Sequence, residues 1–120
     1  MSEAQSGTTP PMSPKDAAPA TQQANQSMRA ALPFEDRADF EAAGRGLIER
    51  LPEGVIKTES GTVVWNLKSY DFLNGRDAPP TVNPSLWRMA QLNLENGLFK
   101  VVDRVYQLRG LDLANMTVIE

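Results

Sequence analysis

Four closely spaced carboxylates are the first candidates for acid–base chemistry or cation binding. They are Glu35, Asp36, Asp39 and Glu41. Oxygen-ligand cation loops require a glycine-turned spacing, which is absent here. Because these residues fall in the first turns of a predicted helix, where the helix dipole favours negative charge, we interpret them as a solvated helix face.

Polar residues near the predicted C-terminal strands form two further sets of candidates. One set lies at strand ends, where loops often carry function, and comprises Asp103, Asp112 and Asn115. Turn formation explains these three equally well, and we favour it. The other set consists of arginines, a residue type that binds sulfate or phosphate, at Arg88, Arg104 and Arg109. Nothing in the sequence shows that the arginines converge, and ordinary surface positions explain them too.

The chain contains no histidine and no cysteine. The commonest metal ligand and the commonest general base are therefore both missing. Glycine-rich phosphate loops and nucleophile elbows are also absent. We predict that this chain has no catalytic, cofactor-binding or metal-binding residue.

Charge and hydropathy exclude two further classes of partner. A net charge of -3 argues against nucleic-acid binding. No apolar run approaches the roughly 20 residues that a membrane-spanning helix requires. The amino terminus lacks the apolar core of a secretory signal, which favours a cytoplasmic location.

The first 28 residues have the composition of a disordered tail. Prolines at positions 10, 11, 14 and 19 interrupt a run of small and polar residues, and no aromatic residue occurs in it. Such a segment buries too little apolar surface to offset the entropy lost on ordering it. We predict disorder from Met1 to Met28.

The ordered part is predicted to begin near Phe34 with a helix that Pro52 ends. Its apolar stripe has helical spacing and comprises Phe40, Gly44, Leu47, Ile48 and Leu51. Two β-branched runs follow, Val55–Lys57 and Thr62–Trp65, and the short glycine-containing turn between them predicts a hairpin.

A second main helix is predicted from Pro84 to about Glu95, because Asn83 is a suitable cap and Pro fits the first helical position. Its predicted apolar face comprises Leu86, Met89, Ala90 and Leu94, with Trp87 beside it and Asn93 on the same stripe. We expect Asn93 to bond to nearby backbone, the alternative being an inward-facing active-site residue. We also expect this helix to cover the strands that follow, with Trp87 buried between them and its indole N–H hydrogen-bonded.

From Leu98 onward the apolar pattern has the period of a strand. A tight turn at Asp103-Arg104 separates two predicted strands, and a third begins at Met116. The fold class is therefore α+β. The predicted organisation is a tail over 1–28, a helix and hairpin extension over 29–97, and the first strands of a further domain over 98–120.

Several blocks of this sequence resemble one known family, the alkyl sulfatases of the metallo-β-lactamase superfamily. The blocks are Phe34–Ala43, Val64–Leu67, Val82–Asn93, Val105–Gly110 and Leu113–Glu120. The resemblance implies the N-terminal segment of a zinc-dependent hydrolase that cleaves primary alkyl sulfates, including dodecyl sulfate, to an alcohol and sulfate. It also implies that the last strands begin the αββα sandwich of that superfamily.

The resemblance implies cofactors and partners that this segment does not itself hold. The family binds a pair of zinc ions through a His-x-His-x-Asp-His motif, which does not occur in this sequence. The expected partners are the remainder of the metallo-hydrolase domain, a second subunit in a homodimer and a small alkyl sulfate substrate. This chain alone is expected to be inactive and to have a structural role. The alternative is a free-standing interaction protein that uses a strand edge or the disordered tail.

Overall fold

A computed structural model describes residues 15–120, which form helices and strands in an α+β arrangement. The helices are α1 (Pro19–Ala31), α2 (Ala38–Gly44) and α3 (Pro84–Leu92), with a 3₁₀ helix at Leu67–Leu73. The strands are β1 (Leu47–Glu49), β2 (Val55–Lys57), β3 (Val63–Asn66), β4 (Gly97–Val102), β5 (Val105–Arg109) and β6 (Met116–Ile119). The predicted fold class is confirmed.

The strands form two separate antiparallel sheets. A four-stranded sheet has the order β1-β4-β5-β6, and β2 and β3 form a two-stranded hairpin. The turn between β4 and β5 places Arg104 at a φ of 61°, and the predicted turn at Asp103-Arg104 is confirmed. The predicted hairpin and the third C-terminal strand are also confirmed.

The buried core of the described residues is small. Phe99 on β4 is completely buried, and Leu73 at the end of the 3₁₀ helix is 5% exposed. Leu47 of β1 lies opposite Phe99, and the guanidinium of Arg109 lies 4.5 Å from the centre of the Phe99 ring. The four-stranded sheet is therefore organised around one aromatic side chain.

The prediction of disorder up to Met28 is wrong for residues 19–28, because α1 occupies them. Pro19 fits the first helical turn, and the alanines, glutamines and methionine that follow are adequate helix formers. The side chains of Asn25 and Arg29 donate to the carbonyls of Pro80 (2.7 Å) and Ala78 (2.9 Å). Polar contacts thus hold a helix that buries little apolar surface. Residues 1–14 lie outside the described residues, and the boundaries at 28/29 and 97/98 stay predictions.

The predicted helix that ends at Pro52 is also wrong in its second half. Helix α2 ends at Gly44, and Gly46 adopts a φ of 78°, which a right-handed helix does not allow. Leu47–Glu49 then forms an edge strand on β4, and the Lys100 amide donates to the Gly46 carbonyl at 2.8 Å. Pairing with a distant strand outweighs the helical spacing of the apolar residues.

Capping predicts the start of α3 correctly. The Asn83 side-chain oxygen accepts from the amides of Ser85 (2.9 Å) and Leu86 (3.4 Å), and Pro84 is the first helical residue. The helix ends at Leu92 rather than near Glu95. Gly97 follows with a φ of 138° and opens β4.

The predicted apolar face of α3 is wrong because the helix packs on other helices and not chiefly on the strands. Its main contacts are with α1, α2 and the 3₁₀ helix. Leu86 and Met89 are exposed by 65% and 56%, and Asn93 is exposed as well. Asn93 is therefore neither the buried amide that we expected nor an inward-facing active-site residue.

Within the described part of the chain, no helix has both the length and the apolar character needed to cross a lipid bilayer.

Candidate functional site

A concave surface with a volume of about 970 Å³ lies between the hairpin, the 3₁₀ helix, the end of α3 and the β5–β6 connection. The polar and aromatic residues on its walls include Arg50, Trp65, Tyr70, Glu95, Arg109 and Asp112. These residues come from four separate parts of the sequence. The surface is therefore a product of tertiary packing and carries no contiguous motif.

Two of the charges on this surface, those of Arg50 and Glu95, are paired with one another. The Arg50 guanidinium donates to a Glu95 carboxylate oxygen at 2.7 Å and to the Asn96 carbonyl at 3.1 Å. This contact ties the segment after β1 to the turn between α3 and β4. Arg50 therefore braces two connections and does not present a free cation to a ligand.

One polar atom beside this surface has no hydrogen-bond partner among the described residues. The indole N–H of Trp65 on β3 is buried and finds no acceptor there. A buried donor without an acceptor costs about 1–3 kcal/mol. Trp65 lies on the hairpin, whose Val63 and Val64 are more than half exposed. The hairpin therefore combines a buried donor that lacks an acceptor with two exposed valines.

The three arginines that we considered for anion binding do not form one site, since each has its own partners. Arg88 on α3 donates to the carbonyls of Phe34 (3.3 Å) and Asp36 (2.7 Å). Arg104 forms the β4–β5 turn, and its carbonyl accepts from the Glu120 amide at 2.9 Å. Arg109 lies over Phe99 and donates to the Gln107 side chain at 2.6 Å.

The acidic group is exposed, in agreement with its interpretation as a solvated face. All four residues, Glu35, Asp36, Asp39 and Glu41, are exposed. Asp36 accepts from the amide of Ala38, the first residue of α2, at 2.9 Å. Asp39 lies 3.4 Å from the Arg88 guanidinium, but its side chain is 71% exposed, so this ion pair contributes little.

The residues at the strand ends form turns, as we favoured. Asp103 lies 3.2 Å from the Lys100 ammonium across the β4–β5 turn. Asp112 accepts from the amide of its neighbour Leu113, and Asn115 accepts from the Gly110 amide. The Asp112 and Asn115 contacts shape the connection between β5 and β6, whereas Asp103 belongs to the β4–β5 turn.

The described residues do not fit a zinc centre. Among them, no group of three or more histidine, cysteine, aspartate or glutamate side chains is placed to hold a metal ion. Zinc in proteins is bound chiefly by cysteine and histidine, and this sequence contains neither.

Trp87 and Gln91 on α3 hold the loop that follows the 3₁₀ helix. The indole N–H of Trp87 donates to the Arg76 carbonyl at 2.8 Å, which confirms the predicted hydrogen bond. Gln91 donates to the carbonyls of Leu73 (2.8 Å) and Arg76 (3.0 Å). The sequence analysis missed Gln91, because a glutamine on a helix gives no signal of the loop that it binds.

The prediction that Trp87 is fully buried between α3 and the strands is wrong. The side chain is only half-buried and meets the edge of Phe72, with the ring centres 6.0 Å apart. It therefore lies against the 3₁₀ helix and not between α3 and the strands.

Replacing Trp87 with alanine should lower the free energy of unfolding by about 2 kcal/mol, less than the about 3–5 kcal/mol of a fully buried tryptophan. The loss combines the Phe72 contact and the bond to the Arg76 carbonyl. Trp87→Phe, which keeps an aromatic ring but no N–H, should cost about 1 kcal/mol. Urea denaturation of the three chains measures both values. An alanine variant as stable as the wild type would contradict this account of the loop.

Comparison with known proteins identifies the type of enzyme to which this sequence is related. No model of a protein family matches the chain. The alkyl/aryl-sulfatase BDS1 of Saccharomyces cerevisiae is 53% identical to it over 106 residues. The (R)-specific secondary-alkylsulfatase and the linear primary-alkylsulfatase of Pseudomonas sp. are 54% and 46% identical over 106 and 107 residues. Each alignment covers 88% of this chain and 16% of the relative.

A solved structure supports the same relationship. The stereoselective inverting sec-alkylsulfatase Pisa1 from Pseudomonas sp. superimposes on this chain with a TM-score of 0.80 at 55% sequence identity. The superposition covers 88% of this chain and 17% of that protein. The chain thus spans about one sixth of the length of the relatives that it matches. The resemblance to alkyl sulfatases found in the sequence is confirmed: this chain is similar to one part of these enzymes, consistent with an N-terminal segment.

Proposed function

We propose that this chain is a structural segment of a zinc-dependent alkyl sulfatase that hydrolyses primary alkyl sulfate esters, including dodecyl sulfate, to an alcohol and sulfate. Its role is to brace the metallo-β-lactamase-type catalytic domain, which the remaining polypeptide supplies. The observation that carries this proposal is identity of 46–54% with alkylsulfatases over 88% of the chain.

The surfaces of the described residues fit a bracing role. Large apolar side chains remain exposed on the hairpin and on the 3₁₀ helix, with Val64 at 62% and Phe72 at 52%. An isolated hairpin is marginally stable in water unless one face packs against something else. Further polypeptide on this side would cover these side chains and could offer a carbonyl to the Trp65 indole.

The zinc ions belong to the remainder of the enzyme in this proposal. When bound there, they would lower the pKa of a water molecule and so supply the nucleophile for ester hydrolysis. The residues of this chain contribute rigidity instead: Arg50 joins two connections, and Trp87 with Gln91 holds a loop. We propose in addition that the assembled enzyme is a homodimer.

Complementation between two polypeptides tests this function. The linear primary-alkylsulfatase of Pseudomonas sp. would be produced without the segment that this chain matches, and the 120-residue chain would be added in trans. We expect restored sulfate release from dodecyl sulfate and restored zinc retention after dialysis. The relative's own excised segment is the positive control.

Two outcomes would contradict the proposal. The first is restoration by the relative's segment but not by this chain, which would favour the alternative of a free-standing interaction protein. The second is dodecyl sulfate hydrolysis by this chain alone after repurification. A secondary alkyl sulfate assayed in parallel shows whether the restored enzyme acts on primary or on secondary esters.

A further inference from the structure

The dipeptide Asn-Gly occurs twice in this sequence, at Asn74-Gly75 and at Asn96-Gly97. The amide carbon of an asparagine side chain can be attacked by the backbone nitrogen of the next residue, and glycine, which has no Cβ, leaves that nitrogen unhindered. The attack requires the backbone between the two residues to rotate until the nitrogen meets Cγ. Reaction in a folded protein therefore depends on how firmly the fold holds the pair.

The fold holds Asn96-Gly97 firmly. Gly97 is buried, begins β4 and lies opposite Arg109 of β5. A Cβ atom at Gly97 would overlap the carbonyl oxygen of Glu49, which shows how closely β1 approaches the backbone there. The Asn96 side chain donates to the Leu94 carbonyl at 2.8 Å. Rotation at this pair would consequently require the strands to separate.

The fold holds Asn74-Gly75 much less. Both residues are exposed and directly follow the 3₁₀ helix. Gly75 has a φ of 61°, and a Cβ atom there would meet nothing within 4 Å. The Asn74 side-chain amide donates to the Asp71 carboxylate at a long 3.4 Å. The backbone of this pair can therefore rotate without breaking a sheet.

The residues on either side of Asn74-Gly75 are bound to α3. The Leu73 carbonyl accepts from the Gln91 side chain at 2.8 Å. The Arg76 carbonyl accepts from the same Gln91 nitrogen at 3.0 Å and from the Trp87 indole at 2.8 Å. One nitrogen thus joins two carbonyls three residues apart, and this arrangement depends on the length of backbone between them.

We propose that Asn74 is a site of spontaneous deamidation by the Gly75 nitrogen, and that the isoaspartate formed there releases the loop from Gln91 and Trp87. Solvent base removes the proton of the Gly75 amide, the nitrogen bonds to Cγ of Asn74, and Nδ2 leaves as ammonia. Water then opens the resulting succinimide. Because this chemistry belongs to the chain itself, it does not depend on the proposed role in an alkylsulfatase.

The direction in which the succinimide opens determines the product. Cleavage of the bond between Cγ and the Gly75 nitrogen gives aspartate, whose carboxylate lies beside that of Asp71. Cleavage at the Asn74 backbone carbonyl instead leaves Gly75 attached through Cγ, which adds one methylene to the main chain. The added length falls between the two carbonyls that Gln91 joins, so both cannot keep their bonds to one nitrogen.

Peptide mapping of the folded 120-residue chain tests the site. After incubation at mildly alkaline pH, tryptic cleavage gives peptides 69–76 and 89–100, each of which contains one Asn-Gly pair. Deamidation adds about 1 Da, and chromatography separates aspartate from isoaspartate peptides. We expect conversion at Asn74 to be at least about tenfold faster than at Asn96, because the latter requires local opening of the sheet.

The chain denatured in urea is the matched control for this comparison. Unfolding removes the strand pairing that protects Asn96-Gly97, so the two sites should then react at similar rates. A preference for Asn74 that persisted unchanged in urea would overturn the proposal, since the fold would not be its cause.

Amide hydrogen exchange tests the release of the loop. The Val82 amide donates to the Pro79 carbonyl at 3.0 Å within the same loop, and it should exchange about tenfold faster in the incubated chain than in the fresh one. The Lys100 amide, which donates to Gly46 in the sheet, should not change. Asn74→Gln, in which the five-membered ring cannot form, should show no change at Val82 after the same incubation.

Three results would contradict the proposal. They are the absence of conversion at Asn74, equal conversion at Asn74 and Asn96 in the folded chain, and unchanged exchange at Val82 in a chain fully converted to isoaspartate at position 74.

Discussion

Replacement of Phe99 with alanine should lower the free energy of unfolding by about 3–5 kcal/mol, the range found for large buried aromatic residues. Phe99 is the one large side chain in the described residues with no exposed surface, and Leu47, Arg109 and the strands around it pack on its ring. Since the core is small, we expect the variant to lose its cooperative unfolding transition. Circular dichroism during urea denaturation measures this.

A matched change on the same strand separates this effect from the general cost of altering β4. Val101 is 48% exposed, and Val101→Ala should change the free energy of unfolding by less than about 0.5 kcal/mol. Phe99→Leu should fall between the two, because it keeps part of the buried volume. Equal losses for Phe99→Ala and Val101→Ala would show that Phe99 is not the centre of the sheet.

Gly46→Ala should be strongly destabilising for so small a substitution. Gly46 has a φ of 78°, and a Cβ atom there would overlap the carbonyl oxygen of Lys100. The left-handed conformation costs about 1–2 kcal/mol for an alanine, and relief of the overlap would cost about 1–3 kcal/mol more. We expect β1 to separate from β4, which amide hydrogen exchange would show as faster exchange at Lys100.

Gly61→Ala is the control for this prediction. Gly61 in the β2–β3 turn also has a positive φ, 86°, but a Cβ atom there would meet nothing within 4 Å. This variant should lose only the about 1–2 kcal/mol of the backbone conformation. If the two alanine variants were equally stable, the close approach of β1 to β4 would not be a feature of the protein in solution.

Local signals in the sequence were sufficient for the elements that depend on neighbouring residues. The cap at Asn83, the β2–β3 hairpin and the turn at Asp103-Arg104 all involve contacts within a few positions. The prediction that this chain holds no zinc rests on composition alone, because a chain without histidine or cysteine lacks the usual zinc ligands, and it stays a prediction. The relationship to the alkylsulfatases was equally visible in the sequence, since it is carried by blocks of consecutive residues.

Only the tertiary structure determines the elements in which contacts between distant parts of the chain outweigh local preference. Leu47 has helical spacing with Phe40, yet pairing with Phe99, fifty-two positions away, makes it part of a strand. The polar composition of α1 predicts disorder, but hydrogen bonds from Asn25 and Arg29 to the carbonyls at positions 80 and 78 hold the helix in place. The pairing of Arg50 with Glu95 and the binding of a loop by Gln91 have the same origin. The free energy of these interactions depends on partners brought together by folding, and a pattern of neighbouring residues carries no information about them.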